Sequence, residues 1–297
     1  MDLATFFQQL ANAVSLGSLY ALIAIGYTMV YGILRLINFA HGDVFMIGSY
    51  LAFYAISATA MPWWAAFPVA LCLTAALGMG LERIAYRPLR DSPKISVMIS
   101  AIGASFLLEN VGIVVFGGRP KSFPSIALFD TVVKLGSVSV LSVSLFIPAI
   151  TALSLLLLEY IVHNTKTGLA MRAVSTDLDA ARLMAVDVNR VISFTFGLGS
   201  LLAGLGGIMW TMRYPQLNPL MGIMPGLKCF IAAVIGGIGN IQGAVLGGFL
   251  LGFLEIMIVA LLPELTGYRD AFAFVLLILV LLVKPSGLLG KKQTVKV

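Results

Sequence analysis

The chain has 297 residues, of which 60% are hydrophobic and only 11% charged, with a mean hydropathy of +1.01. A soluble domain of this size has no interior large enough to hide so much apolar surface, so the composition defines a polytopic membrane protein and excludes a water-soluble fold. The net charge of +6 needs no nucleic acid to explain it, because basic loops between apolar runs hold topology and meet anionic lipid.

A helix needs about 20 apolar residues to cross a bilayer. On that measure spans are predicted near 10–33, 43–60, 64–82, 95–116, 141–161, 191–212, 220–238, 240–262 and 270–284. The runs 43–60, 220–238 and 270–284 are short, and one or two of them read as re-entrant, so eight to ten crossings are expected. No Lys or Arg precedes Arg35, which puts the N-terminus outside and makes the first apolar run a span rather than a signal peptide with a basic n-region. Alternation then places most of the 19 basic residues in the cytoplasm. These are Arg35; Arg83, Arg87, Arg90 and Lys94; Lys166, Arg172, Arg182 and Arg190; and Lys284, Lys291, Lys292 and Lys296. The bias favours an odd number of crossings and a cytoplasmic C-terminus. Cys72 and Cys229 both fall in apolar runs and read as buried free thiols, giving neither a disulfide framework nor a metal site.

In chain order, the first interruption is Asn38 to Asp43, where polar side chains and a glycine break an apolar run. It is either a turn between spans or an unwound segment facing a translocation path. Glu82 and Arg83 open a basic internal loop and read as a topology anchor. Glu109-Asn110, towards the outer end of its span, reads as an interhelical polar contact. Gly117 to Val140 is the longest external segment and reads as an ordered cap.

His163 to Arg190 is the longest internal segment, and within it Thr176 to Ala185 forms a polar helix. Thr176 is placed to cap it, Asp179 three residues on completes a capping-box pattern, and Asp177 adds a second anion to the first turn. Arg182 lies further along, and Ala180, Ala181 and Ala185 leave a small-residue face for a soluble partner to dock on. Glu255 lies deep in a span, where an ionisable group is costly and needs a partner. Its role is structural or in the pathway.

The two halves echo each other. Gly17-Ser18-Leu19-Tyr20-Ala21 resembles Gly199-Ser200-Leu201-Leu202-Ala203, and each is followed by a broken stretch, Asn38 to Gly42 in one half and Met224-Pro225-Gly226 in the other. The first of these spans runs inward and the second outward, the pattern of an inverted repeat whose interrupted helices form a transport site near the midplane. Ala40, His41, Gly42 and Gly226, with Asn38 and Glu255, are therefore the pathway candidates. Gly239, Gly243 and Gly247, Gly248 and Gly252, and Ala203 with Gly207 are spaced for close helix packing. Some of these glycines could instead line a pathway. The chain has two histidines, no Gly-x-Ser-x-Gly elbow and no phosphate loop with a lysine, so it offers no catalytic residue, no metal site and no ATP site of its own.

Several stretches carry a resemblance. They are Asn38-Phe39-Ala40-His41-Gly42 with Met46-Ile47-Gly48-Ser49-Tyr50, Thr167-Gly168-Leu169-Ala170-Met171-Arg172-Ala173, and Ala233-Val234-Ile235-Gly236-Gly237-Ile238-Gly239-Asn240 with Gly243-Ala244. The Pro285 to Gly290 ending joins them. In this order they resemble the branched-chain amino-acid permeases of bacterial ABC importers, LivH type. Asp179-Ala180-Ala181 with Ala185 is similar to the Glu-Ala-Ala-x-x-x-Gly core of ABC permeases, with Asp for Glu and Ala for Gly.

The resemblance implies an all-α polytopic inner-membrane permease of eight to ten helices, without cofactor or catalytic residues. It would work beside a paralogous permease or a second copy of itself, two cytoplasmic ATPases and a periplasmic binding protein. The chain would form a single transmembrane permease domain, with 163–190 as a cytoplasmic loop bearing the coupling helix. Leucine, isoleucine and valine are the family's usual cargo. Relatives that carry urea, short amides or aromatic acids remain alternatives, and so does an ion-coupled secondary transporter.

Overall fold

The computed structural model describes residues 3–136 and 138–290; the tail lysines Lys291, Lys292 and Lys296 lie outside the described residues. The fold is a helical bundle built around its first helix, α1 (Leu3–Leu34), whose apolar stretch is almost wholly buried. Around it lie α2 (His41–Ser57), α3 (Trp63–Leu81), α4 (Lys94–Phe116), the short α5 (Ala127–Asp130) and α6 (Ser142–Asn164). There follow α7 (Lys166–Thr176), α8 (Leu178–Leu183), α9 (Val188–Arg213), α10 (Ile223–Gly236), α11 (Ile241–Leu261) and α12 (Arg269–Val283). Seven helical segments among the described residues are long and apolar enough to cross a membrane. The segments around α4, α6 and α12 are mostly exposed on this chain, and α3 is largely so. Cys72 lies exposed on α3 rather than buried, while Cys229 on α10 is buried as expected. Apolarity alone does not separate lipid-facing from core positions, because lipid tails are as apolar as leucine.

The two halves pack as matching sets. α1 runs antiparallel to α11, with Gly17 against Gly252 and Phe249, Ala21 against Gly248 and Gly32 against Gly239. α9 runs antiparallel to α3 in the corresponding way, with Ser200 against Gly78, Gly204 against Thr74 and Gly197 against Met79. The sets meet where α1 crosses α9 antiparallel, Gly26 on Gly199 and Ile23 on Gly206. The packing relates the halves as an inverted pair, with Gly17 and Ala21 on α11 matched by Ser200 and Gly204 on α3, one residue out of register with the sequence echo, whose Gly199 packs on α1 instead. The other spaced glycines are used for packing too: Gly243 and Gly247 lie on the backbone of α10, and Gly207 on that of α2. A Cβ on Gly252 would stand 2.4 Å from Gly17 Cα. Gly252→Ala is therefore expected to cost about 1–3 kcal/mol of stability, as overpacking does, read as a lower melting temperature of the detergent-purified protein.

The second helix of each half does not start at the membrane edge. α1 ends with Arg35 in the left-handed region (φ 53°), whose N–H closes the last turn onto Tyr31 O at 2.7 Å. The chain then returns along α1, and α2 begins with His41 beside Ile23 and Tyr27, well before the level at which α1 ends. After α9 the chain pairs Gln216–Leu217 with Lys121–Ser122 in a two-residue antiparallel ladder, turns back, and starts α10 at the same level. A Cβ on Gly42 would lie 2.4 Å from Gly222 O. Helices of 17 and 14 residues span only about 25 and 21 Å, against a hydrocarbon core of about 30 Å. α2 leads to the end of the bundle bearing the short ladder, where Tyr50 stacks on Phe116 and Tyr54 meets Lys121. α10 leads to the opposite end, where the ending at Leu288 and Leu289 hydrogen-bonds to Ile235 and Gly236. Of the three short runs, 43–60 and 220–238 are the interrupted ones. The segment expected to form a cap, Gly117 to Val140, leads into an antiparallel hairpin, Val132–Leu135 with Val138–Leu141.

Candidate functional site

Where the two half-helices meet N-terminus to N-terminus there is a cavity of about 200 Å³. Asn38, Gly42 and Gly226 line it, together with Asp43, Ser105 and Glu109 and the apolar Ile102, Phe106, Leu227 and Phe230. Asp43 is almost fully buried, accepts a hydrogen bond from Ser105 Oγ at 2.5 Å and sits in the first turn of α2, the end of a helix that favours an anion. Glu109 joins this lining rather than making a separate interhelical contact, and Asp43, at the first position of the predicted span 43–60, adds a second carboxylate inside the bundle. Ala40 and His41 are buried outside the lining. Ala40 O accepts from Asp43 and Val44 and starts α2, while His41 Nε2 lies 3.2 Å from Ile23 O and pins that start to α1.

Glu255 lies elsewhere, on the other side of the first turns of α10. There a cavity of about 350 Å³ is lined by Tyr20, Trp210, Tyr214, Met224, Lys228, Glu255, Arg269 and Asp270 among others. Lys228 Nζ stands 2.8 Å from Glu255 Oε1 and 2.7 Å from Asp270 Oδ1, and Tyr20 Oη donates to Glu255 Oε2 at 3.0 Å. The partner that Glu255 required is thus Lys228, an intramembrane cation within an apolar run. That signal was readable in the sequence; the proximity of Asp270 was not.

The segment after α6 forms two helices, not one. Thr165 caps α7 through Gly168 N at 3.0 Å, and Thr176 closes α7 by donating to Arg172 O. Thr176 therefore does not cap the next helix. Asp177 does, its Oδ1 accepting from Asp179 N at 2.9 Å and Ala180 N at 3.0 Å, because a carboxylate adjacent to the first turn reaches both N–H groups. Arg182 pairs with Asp179 at 3.2 Å on the solvent side. Ala181 is buried and turned towards the bundle, so it is not part of an outward small-residue face. Ala185 is exposed and left-handed (φ 59°), ending the motif. The outward apolar side chains are Leu183 and Met184, 87% and 79% exposed, and nothing in the helical spacing singled them out.

A buried polar network connects this region to the mid-depth cavity. After α3 the chain makes a π-helical turn, Glu82–Tyr86. Glu82, fully buried, pairs with Arg87 at 3.0 Å and Arg90 at 2.8 Å and accepts from Ser193 Oγ at 2.6 Å. Arg90 also donates to Asn189 at 2.8 Å, on the first turn of α9 just after α8. Tyr86 Oη, at the far end of the π turn, donates to Asn38 Oδ1 at 2.9 Å. Glu82 is thus the centre of an ion cluster, more than a topology anchor.

Two half-helices meeting head to head at mid-depth, inside a multi-pass apolar bundle, define a membrane transport subunit. The chain belongs to the family of branched-chain amino acid transport system permease components, whose model matches residues 9–281. It is 44% identical over 98% of both chains to the high-affinity branched-chain amino acid transport system permease protein LivH of Escherichia coli (strain K12). It is 42% identical, again over 98% of both chains, to the corresponding permease protein BraD of Pseudomonas aeruginosa. Among solved structures its fold is similar to a chain of PsaBC from Streptococcus pneumoniae in complex with Fab, with a TM-score of 0.50 and 13% identity over 94% of this chain and 92% of that one.

Proposed function

We propose that this chain is the permease subunit of an ATP-driven importer of leucine, isoleucine and valine. The near full-length identity to LivH and BraD carries that reading. The N-terminus is external, the C-terminus and the segment 163–190 are cytoplasmic, and the basic residues of the internal loops support that sidedness. A soluble ATPase docks on α8, a second permease completes the pathway, and a periplasmic binding protein delivers cargo to the opposite end. ATP hydrolysis takes place on the partner. This chain converts ATPase closure into movement of α8, which reaches α9 and then, through Glu82, Tyr86 and Asn38, the start of α2. Such coupling requires only that the ATPase bind the outward and inward states of the permease with different affinity.

The test is uptake of labelled leucine by cells lacking the gene, with and without its restoration. The expected result is uptake that is lost and rescued, fails on ATP depletion and survives an ionophore. Unchanged leucine uptake would move the assignment to urea, amide or aromatic-acid cargo. Uptake that collapses with the ion gradient would remove the ATPase.

A further inference from the structure

We infer that the cavity holding Lys228, Glu255 and Asp270 is a receiving subsite for the zwitterionic head group of a free α-amino acid. The inference rests on the importer reading above and adds to it a place and a recognition chemistry. The cavity lies at the end of the bundle opposite α8, because its rim comes from Tyr214 after α9 and Arg269 at the start of α12. It is therefore the end to which cargo is delivered.

At about 350 Å³ it falls in the size range of small-ligand sites, about 300–1,000 Å³. Its charges come as two cations and two carboxylates, with Arg269 3.7 Å from Asp270, so the cluster has no net preference for a bare anion or cation. A zwitterion enters such a cluster without changing its charge.

One ammonium is shared by both carboxylates: Lys228 Nζ stands 2.8 Å from Glu255 Oε1 and 2.7 Å from Asp270 Oδ1. The α-ammonium of a free amino acid brings a second cation with three N–H donors to these two acids, and the cargo carboxylate takes the share of Lys228 that they release. Stripping a buried carboxylate of its cation is costly, so a ligand that carries both charges is favoured over one that carries only one. Tyr20, Trp210 and Met224 provide the apolar wall for a branched side chain.

The complete importer carrying Cys72→Ser and Met224→Cys, reconstituted in proteoliposomes, tests this by the rate at which a charged methanethiosulfonate labels the new thiol. Leucine is expected to slow labelling at least fivefold. 3-Methylbutan-1-amine and 4-methylpentanoate, each lacking one of the two charges, should leave the rate within twofold. Lys228→Met should abolish protection, and Lys228→Arg should retain part of it. Leucine that fails to protect an importer in which wild-type uptake of leucine is measured would overturn the subsite and leave the importer reading standing. Absence of leucine uptake by the wild type would instead overturn that reading. Protection by the amine or the acid alone, equal to that by leucine, would show an ion-pair site that does not read a zwitterion.

Discussion

Replacing Leu183 and Met184 together by aspartate is expected to abolish leucine uptake and to release the ATPase, while the chain still inserts and folds. Both side chains project from the end of a six-residue helix that is itself firmly held: Asp177 caps it and Ala181 is buried beneath it. Burying two such side chains against a partner contributes about 1.5–3 kcal/mol each. Losing both, and adding two carboxylates that must be desolvated, weakens docking at least a hundredfold, since every 1.4 kcal/mol is a factor of about ten. The loss is read as disappearance of the ATPase from an affinity pull-down in mild detergent, alongside uptake. A double variant that still retains the ATPase would place docking elsewhere. Ala181→Arg is the poorer probe: its site is already filled by the bundle, so the variant would report packing as much as docking.

Glu82→Gln is expected to lower stability by about 3–5 kcal/mol, the cost of leaving a buried ionic partner uncompensated. Glu82 is fully buried between Arg87 and Arg90, and the amide can neither balance two guanidinium groups nor accept as strongly from Ser193. Because the same cluster holds the first turns of α9 to the π turn that carries Tyr86, uptake per hydrolysed ATP should fall together with the melting temperature. Tyr86→Phe removes only the hydrogen bond to Asn38 and should cost about 1 kcal/mol. It separates the two effects: reduced uptake with a nearly unchanged melting temperature supports transmission through Asn38, and unchanged uptake would show that the contact only packs.

The fold was legible where apolarity and small residues repeat at membrane length. The long spans follow from runs that are too apolar for water, and the Gly-Ser echo marked the paired segments of the two halves, though one residue out of register, since close backbone approach is what helices in lipid use to associate. The two interruptions were legible because glycine, proline and polar side chains cannot continue an apolar helix unnoticed, and they proved to adjoin the same cavity. What the linear pattern could not supply is direction and partnership. Ala181 and Cys72 exchanged their expected burial because a helix face is assigned to lipid, core or cytosol only by the neighbours packed on it. Asp177 took the capping role expected of Thr176 because a break between α7 and α8 shifted the helix start by one residue, within the range over which several side chains can reach free N–H groups. The ion clusters depend on tertiary contact most of all. Glu82 with Ser193, Lys228 with Glu255 and Asp270, and Asp43 with Ser105 join residues of separate helical segments, and burial makes those long-range pairings decisive: an isolated charge in the bundle is too costly to persist, so the helices settle where each finds its partner.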